Sequence, residues 1–299
     1  MPRKVGLVTT DTFSDQDLDL PILIDALRES GLEANDPHWR DPAVEWSSYD
    51  VIIMRSPWDY MDHTAEFLDW LDAVAKVTTV WNCPDLIRWN LDKHYLADLE
   101  GSGVSVVPTQ FCNSPEQAGV AIDAVATAQL VVKPTISAAS KDTGWFDAGD
   151  SRAKTLANTI LEAGKTVMVQ PFIESVAGNG ESALVFFEGH FSHALRKGPL
   201  LELGGRTASP AEAKLSRLTP TSAELDLAEV TMRAIPGIIR RRGCTCDPAT
   251  PLYARIDIVA DEAHGPLLLE AELFEPSFFV RASPGSERRF AQAVTRRLA

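Results

Sequence analysis

The sequence predicts a mixed α/β protein with an N-terminal parallel-sheet lobe followed by two α+β lobes. The first 90 residues alternate short apolar runs with helix-period segments, as strand–helix units over a parallel sheet do. Further on, a two-residue turn signal at Glu188-Gly189 and two adjacent strand-like runs at 253–259 and 267–273 point to hairpins. A length of 299 residues, 45% hydrophobic and 23% charged, supplies the core for two or three lobes. The divisions fall at 1–90, a Rossmann-like αβ domain; 91–170, a central lobe; and 171–299, a C-terminal lobe.

In the first lobe, residues 5–9 read as a strand and 18–30 as a helix stopped by Gly31. Residues 50–55 form a continuous apolar strand, and 64–77 carry helical spacing through Phe67, Leu68, Leu71 and Val74; 78–81 return to strand. No Gly-x-Gly-x-x-Gly follows the first strand, so the dinucleotide fingerprint is missing. In the central lobe a helix over 91–100 ends before Gly101 and Gly103, 104–111 is extended, and 115–128 is helical behind a Ser114 cap. A strand at 130–134, a polar small-residue loop over 135–149, a helix over 151–163 and a strand over 167–173 complete it. Pro171 inside that last strand belongs at an edge or bulge, where the chain crosses to the third lobe. There, strands at 181–187 and 190–196 precede a disordered-looking Gly/Ser/Pro/Thr stretch at 197–220. A helix over 223–242 kinked at Pro236, the strand pair and a helix over 284–298 follow.

The formal charge of −14, from 28 basic and 42 acidic residues, disfavours nucleic acid and anionic membranes as partners. No signal peptide or apolar run of ~20 residues is visible, so a cytoplasmic location is expected. Cys83, Cys112, Cys244 and Cys246 lack metal-ligand spacing and read as reduced structural thiols; the six histidines form no ligand-spaced cluster.

The chemistry concentrates in the strand pair. Alternation puts Arg255 with Asp257 on one face and Glu270 with Glu272 on one face, and a tight turn would lay the pairs together. Three crowded carboxylates raise one another's pKa or demand a cation, and an all-oxygen set suits Mg²⁺ beside substrate phosphates. Lys93 opens the central lobe and Lys133 lies between valine and proline on a strand; a buried lysine needs an anion, either a phosphate or a structural acid. The loop at 135–144 has the small residues that let backbone N–H groups approach phosphate, though it also fits a solvated loop. Gln170, Phe172 and Ile173 offer an apolar wall with backbone polar groups for adenine, and Glu181 an acceptor for ribose hydroxyls. Arg55, ending a parallel strand within Arg55-Ser-Pro-Trp58-Asp59-Tyr60, is a candidate for a substrate carboxylate or for a structural pair with Asp59; Ser277 is a second substrate candidate.

Taken in order, Lys93, Lys133-Pro134, the small-residue loop, Gln170-Pro-Phe-Ile, Glu181, Arg196-Lys197, Arg255-x-Asp257 and Glu270-x-Glu272 resemble the ATP-grasp superfamily over residues 90–282. The resemblance implies a three-lobed fold with the nucleotide held between two α+β lobes. It implies ATP and Mg²⁺, with phosphoryl transfer to a substrate carboxylate and displacement of phosphate by a nitrogen nucleophile. Lys93 and Lys133 would hold phosphates, Glu181 the ribose, and Asp257, Glu270 and Glu272 the metal; Arg255 would neutralise phosphoryl charge. Two departures stand out: Glu272 where the family often has Asn, and Ala138-Ala139 where it often has Gly. The runs at 54–60 and 89–96 resemble the branch grouped with glutathione synthetase and ribosomal-protein-modifying ligases. The chain as a whole is most similar to cyclo-ligases that close O-ureido-D-serine into D-cycloserine. That resemblance implies a small amino-acid substrate and antibiotic biosynthesis; an intermolecular peptide ligase and a non-catalytic nucleotide-binding module are the alternatives. A homo-oligomer is expected from the prevalence of symmetric assemblies.

Overall fold

The computed structural model describes residues 2–12, 16–137, 141–198, 201–202, 206–207, 215–245 and 249–299. In the N-terminal lobe, β1 (Lys4–Thr9), β2 (Glu33–Asn35), β3 (Val51–Ser56) and β4 (Thr79–Trp81) form a parallel sheet in the order β2-β1-β3-β4. Its two faces follow from alternation. Val5, Leu7, Val51 and Ile53 meet Leu23 and Leu27 of α1 (Leu20–Glu29), while Val8, Ile52 and Met54 meet Phe67 and Leu71 of α2 (Thr64–Val74). Burial on both faces explains why β3 reads as an unbroken apolar run.

Two short helices, α3 (Pro84–Leu91) and α4 (Tyr95–Glu100), connect this lobe to the next. The single helix expected over 91–100 is thus corrected: Pro84 starts one helix and the extended Asp92 ends it. The central sheet is antiparallel in the order β5-β8-β6-β7, from β5 (Gln110–Cys112), β6 (Gln129–Pro134), β7 (Gly144–Asp147) and β8 (Val167–Pro171). Helices α5 (Pro115–Asp123) and α6 (Ser151–Glu162) cover one face, and Ser114 caps α5 through Gln117 N. The expected 135–149 loop therefore contains a strand, with Trp145 opposite Val131. β8 is internal rather than an edge, and Pro171 is tolerated as its last residue.

The C-terminal lobe begins with α7 (Ser175–Asn179) and has a mostly long-stranded antiparallel sheet. Its strands are β9 (Glu181–Phe187), β10 (His190–Lys197), β13 (Leu215–Leu218), β14 (Tyr253–Asp261) and β15 (Gly265–Glu272), ordered β13-β10-β9-β14-β15; a small ribbon pairs β11 (Leu201–Glu202) with β12 (Arg206–Thr207). Within the stretch read as disordered, 201–202, 206–207 and 215–218 are strand; 199–200, 203–205 and 208–214 lie outside the described residues. Glu188 and Gly189 both have positive φ, the type I′ geometry their hairpin demands. Helix α8 (Ser222–Arg241) includes Pro236 and packs Leu227, Met232, Ile235 and Ile238 against Leu184, Phe186, Ile256 and Leu268 of the sheet. Helix α9 (Ser286–Leu298) returns to the N-terminal lobe and shares its core with α1. Cys112 is buried and free, and the Cys83 and Cys244 sulfurs lie 3.7 Å apart; Cys246 lies outside the described residues. Among the described residues no helix is long and apolar enough to cross a membrane.

Candidate active site

The C-terminal sheet turns one face toward α8. Its other face is apolar at Val185, Phe187 and Tyr253, which join the core shared with the N-terminal lobe. Further along the same face Glu181, Lys197, Arg255, Asp257, Glu270 and Glu272 replace the apolar side chains. Two bulges create this arrangement. In the β14–β15 hairpin, Val259 opposes Leu267 and Ile258 opposes Leu268, but Asp257 opposes Glu270 and Arg255 opposes Glu272. The extra residue, Leu269, lets Glu270 share the face of Asp257 while Leu268 stays in the core; unbulged pairing would put Leu269 opposite Asp257. In the β9–β10 hairpin the register slips by one between Phe191 and His193, so Lys197, not Arg196, stands opposite Glu181.

Carboxylate oxygens of Asp257, Glu270 and Glu272 all lie within 4.8 Å of one another. Asp257 is almost wholly buried and accepts from Arg255 Nε at 3.0 Å and from Lys197 Nζ at 2.7 Å. Burial alone would raise its pKa, but these two cations hold the carboxyl below its usual range. Lys197 also reaches Glu181 at 2.7 Å; burial disfavours its charge, but Asp257 and Glu181 more than compensate and raise its pKa. Arg255 further ion-pairs with Glu272 and donates to the Ser277 carbonyl at 3.2 Å. Lys93 Nζ lies 2.9 Å from Glu270 Oε1 and donates to the Ser137 carbonyl at 2.9 Å. Burial pulls the Lys93 ammonium down and Glu270 lifts it above its ordinary value; Lys133 stays lowered, because burial and the Lys93 charge outweigh Glu270. Burial, with repulsion from Asp257 and Glu270, pushes Glu272 up to about 7 despite Arg255. Glu275 is pushed up to about 8 by burial and by Glu272.

These facts test the cation the sequence implied. The donors are all oxygen, they converge, and Glu272 carries a raised pKa that a divalent cation would reverse. The residues fit Mg²⁺.

At the hinge, Phe172 stacks on Trp145 with centroids 4.0 Å apart and 9° between planes, and the Trp145 indole nitrogen is buried without a hydrogen-bond partner among the described residues. Ile173 packs with Val107, Val259 and Leu267, and Leu269 joins that cluster. The Gln170 side chain donates to Thr109 Oγ1 at 2.7 Å, bracing the two crossing strands. Residues 138–140 of the small-residue loop lie outside the described residues.

Arg55 takes a different place from that expected. It is fully buried, donates to both Asp17 oxygens at 3.1 and 3.2 Å and to the Pro276 carbonyl at 2.6 Å, and lies over the Phe278 ring. Neither the substrate role nor the pairing with Asp59 describes it: Asp59 accepts from the Trp39 indole at 2.7 Å. Ser277 is half-buried and touches the site through its carbonyl.

The two tryptophan-containing runs are clamps on β15, which carries Glu270 and Glu272, and on the loop after it. Strand β15 is the sheet's edge, a row of unpaired backbone groups. Asn90 bridges the Ala271 carbonyl and Leu273 N–H at 2.7 and 2.8 Å, the Tyr95 hydroxyl accepts from Ala271 N at 3.0 Å, and residues 105–107 bond to Leu268. Sequence reading named Arg196-Lys197 in the ATP-grasp order without deciding which of the two meets Glu181, a choice that only the bulge settles, and it singled out neither Trp145 nor the Tyr60–Glu275 pair.

The N-terminal domain of D-cycloserine synthetase DcsG matches residues 5–82 as a family. The cycloserine biosynthesis protein DcsG of Streptomyces lavendulae is 35% identical over 301 residues, covering 98% of each chain. A crystal structure of D-cycloserine synthetase DcsG superposes with a TM-score of 0.91 at 32% identity, covering 99% of this chain and 100% of that one. More distant folds include the ATP-grasp ligase PsnB complexed with a minimal precursor, Mg and ADP (TM-score 0.63, 16% identity, 98% and 97% covered). Another is the D-alanine–D-alanine ligase of Bacillus anthracis complexed with ATP (0.66, 10%, 98% and 96%). The chain therefore belongs to the DcsG family of ATP-grasp enzymes, ligases that form C–N bonds.

Proposed function

We propose that the protein is an ATP-dependent cyclo-ligase that activates the carboxylate of O-ureido-D-serine as an acylphosphate and closes the ring by intramolecular nitrogen attack, giving D-cycloserine. The observation that carries this reading is that Lys197, Arg255, Asp257, Glu270 and Glu272 share one sheet face, with Lys93 paired to Glu270 and Lys133 of β6 close enough to feel it, in a chain aligned end to end with DcsG. Asp257, Glu270 and Glu272 would hold Mg²⁺, which when bound offsets phosphate charge. Lys93 and Lys133 bind phosphate oxygens; the shared Glu270 lets them be drawn from one anion to another without crossing open solvent. Arg255, anchored by Asp257 and Glu272, presents its guanidinium to the phosphoryl group in flight, an electrostatic role strengthened by burial. Ile173, Phe172 and Trp145 form the wall against which adenine stacks, and Glu181 accepts from ribose.

The chemistry balances as follows. The substrate carboxylate takes the γ-phosphoryl group and ADP leaves. The oxygen-bound nitrogen attacks the acyl carbon, losing its proton, and phosphate departs. The carbamoyl group must then leave with water, as carbon dioxide and ammonia. Ring closure needs no second amine, and intramolecular attack is favoured by effective molarities of up to about 10⁵–10⁸ M. The deciding assay is ADP release. O-ureido-D-serine with Mg-ATP alone should support turnover and yield D-cycloserine; a strict need for an added amine would replace ring closure by intermolecular ligation.

A further inference from the structure

Tyr60 is buried between the rings of Phe67 and Phe274, yet its hydroxyl donates to Glu275 Oε1 at 2.9 Å. Two neighbours fix the backbone around that carboxylate. Trp58 Nε1 donates to the Glu275 carbonyl at 3.1 Å, and Arg55 donates to the Pro276 carbonyl at 2.6 Å. Tyr253 ties the same loop to β3, its hydroxyl lying 2.9 Å from the Met54 carbonyl and 2.8 Å from the Phe274 carbonyl. The run 55–60 thus aims one side chain with donors from three of its residues.

The charges around it are otherwise matched. Asp257 has Arg255 and Lys197, Glu270 has Lys93, Glu272 has Arg255 and Glu181 has Lys197. Glu275 makes no ion pair among the described residues and receives a neutral phenol, although it is close enough to Glu272, Glu270 and Lys93 to feel their fields. It is half-buried at the end of the strand that carries the metal carboxylates. A carboxylate held this firmly at the rim of a cationic phosphate site, and lacking a cation, calls for one from the ligand. An amino acid whose carboxylate lies toward Arg255 carries its α-ammonium a few ångströms away.

We propose that Glu275 is the recognition group for the α-ammonium of the amino-acid substrate, and that Tyr60 is the positioning residue that orients it. This rests on the cyclo-ligase reading for the substrate's identity. It makes the 55–60 run a specificity device that acts through the loop after the metal strand.

The test compares O-ureido-D-serine with its deamino analogue, 3-(ureidooxy)propanoate, in ADP release. The unaltered enzyme should prefer the amine by ~100-fold or more in kcat/KM, because a site built around a charged group rejects a ligand lacking it. Glu275→Gln keeps the shape and the Tyr60 hydrogen bond. It should bring that ratio within ~5-fold through a raised KM for the amine, leaving the KM for ATP within ~2-fold. Tyr60→Phe should lower the ratio by ~3–10-fold in the same direction, as expected for losing one positioning hydrogen bond of typical strength. An undiminished ratio in Glu275→Gln overturns the proposal. So does a loss accompanied by an equal rise in the KM for ATP, which marks a structural role, or a shift confined to the Mg²⁺ requirement. Failure of the unaltered enzyme to use O-ureido-D-serine would sink the cyclo-ligase reading alone. The amine-to-deamino ratio would then be measured on whichever amino acid supports ADP release, with the same outcomes.

Discussion

Asp257 is pinned between Arg255 and Lys197, and Glu270 is held by Lys93. Removing either negative charge leaves buried cations without their counter-ion, and removes one of the proposed metal ligands. Asp257→Asn and Glu270→Gln should each lower kcat/KM by at least about 100-fold, the scale of losing one preorganised electrostatic group; near-native turnover would displace the metal assignment. His193 gives a different kind of prediction. It is buried, donates from Nε2 to the Phe278 carbonyl at 2.7 Å and accepts at Nδ1 from Ser192, whose hydroxyl oxygen also takes Arg289 Nε. Burial lowers its pKa from 6.5 to about 4. The unfolded chain therefore binds the proton first, and stability falls as pH drops from 6.5 toward 4, by up to about 3 kcal/mol for a shift of this size. His193→Gln should flatten that part of the stability–pH curve in denaturant titrations at several pH values; an unchanged slope would show that the acid loss comes from other groups.

Gly180 joins α7 to β9 with φ +66°, and a Cβ there would lie 1.9 Å from the Lys197 carbonyl oxygen. Gly180→Ala should therefore push β10 away at the residue whose ammonium bridges Glu181 and Asp257. Expected results are a clear fall in Tm, with about 1–3 kcal/mol from backbone strain alone, and a raised KM for ATP. Gly178→Ala, with nothing within 4 Å of its Cβ, is the control and should be near neutral. Equal behaviour of the two would show that Gly180's close approach does not matter. Elements of this kind also mark what the sequence makes legible. The apolar strand β3, helices α1, α2, α6 and α8 and the Glu188-Gly189 turn follow from period and turn chemistry; Lys133, Arg255, Asp257, Glu270 and Glu272 stand out as charges in apolar runs, and Lys93 only through its place in the ATP-grasp order. Alternation alone, however, pairs Asp257 with Leu269 and Glu181 with Arg196. Only the bulges correct both, and a bulge leaves no local sequence mark comparable to a Gly turn. Arg55 was misplaced for a related reason: its partners, Asp17 and Pro276, are distant in sequence, and no local spacing points to them.

At the scale of the molecule, the N-terminal and C-terminal lobes are built around one another. A single apolar cluster joins Val5, Leu7 and Val51 to Val185, Tyr253, Phe278 and Phe290, and α9 packs on α1. The central sheet instead has a cluster of its own, Leu130, Val132, Val167 and Val169 against α5 and α6, drawn wholly from that lobe. It meets the rest through Met168 and Phe111 of the crossing strands, which join the core under α8, the backbone bonds of residues 105–107 to Leu268, the Lys93–Ser137 contact, Ile136 at the edge of the N-terminal core, and an exposed Lys141–Asp62 pair at 2.6 Å. That pair is worth at most about 1 kcal/mol, so the central lobe is fastened chiefly at its hinge and by whatever fills the cleft. A lobe with a small separate core opens at lower free energy than two lobes sharing a large one. Hydrogen exchange should accordingly find the amides of β5 to β8 less protected than those of β1, β3, β9 and β14 in the free enzyme. Mg-ATP should slow exchange in the central lobe most, because its lysines and hinge are the groups that gain partners, whereas the shared core already has them. Uniform protection across all three sheets, or a nucleotide effect centred on β1 and β3, would contradict a mobile central lobe closing on a fixed two-lobe base.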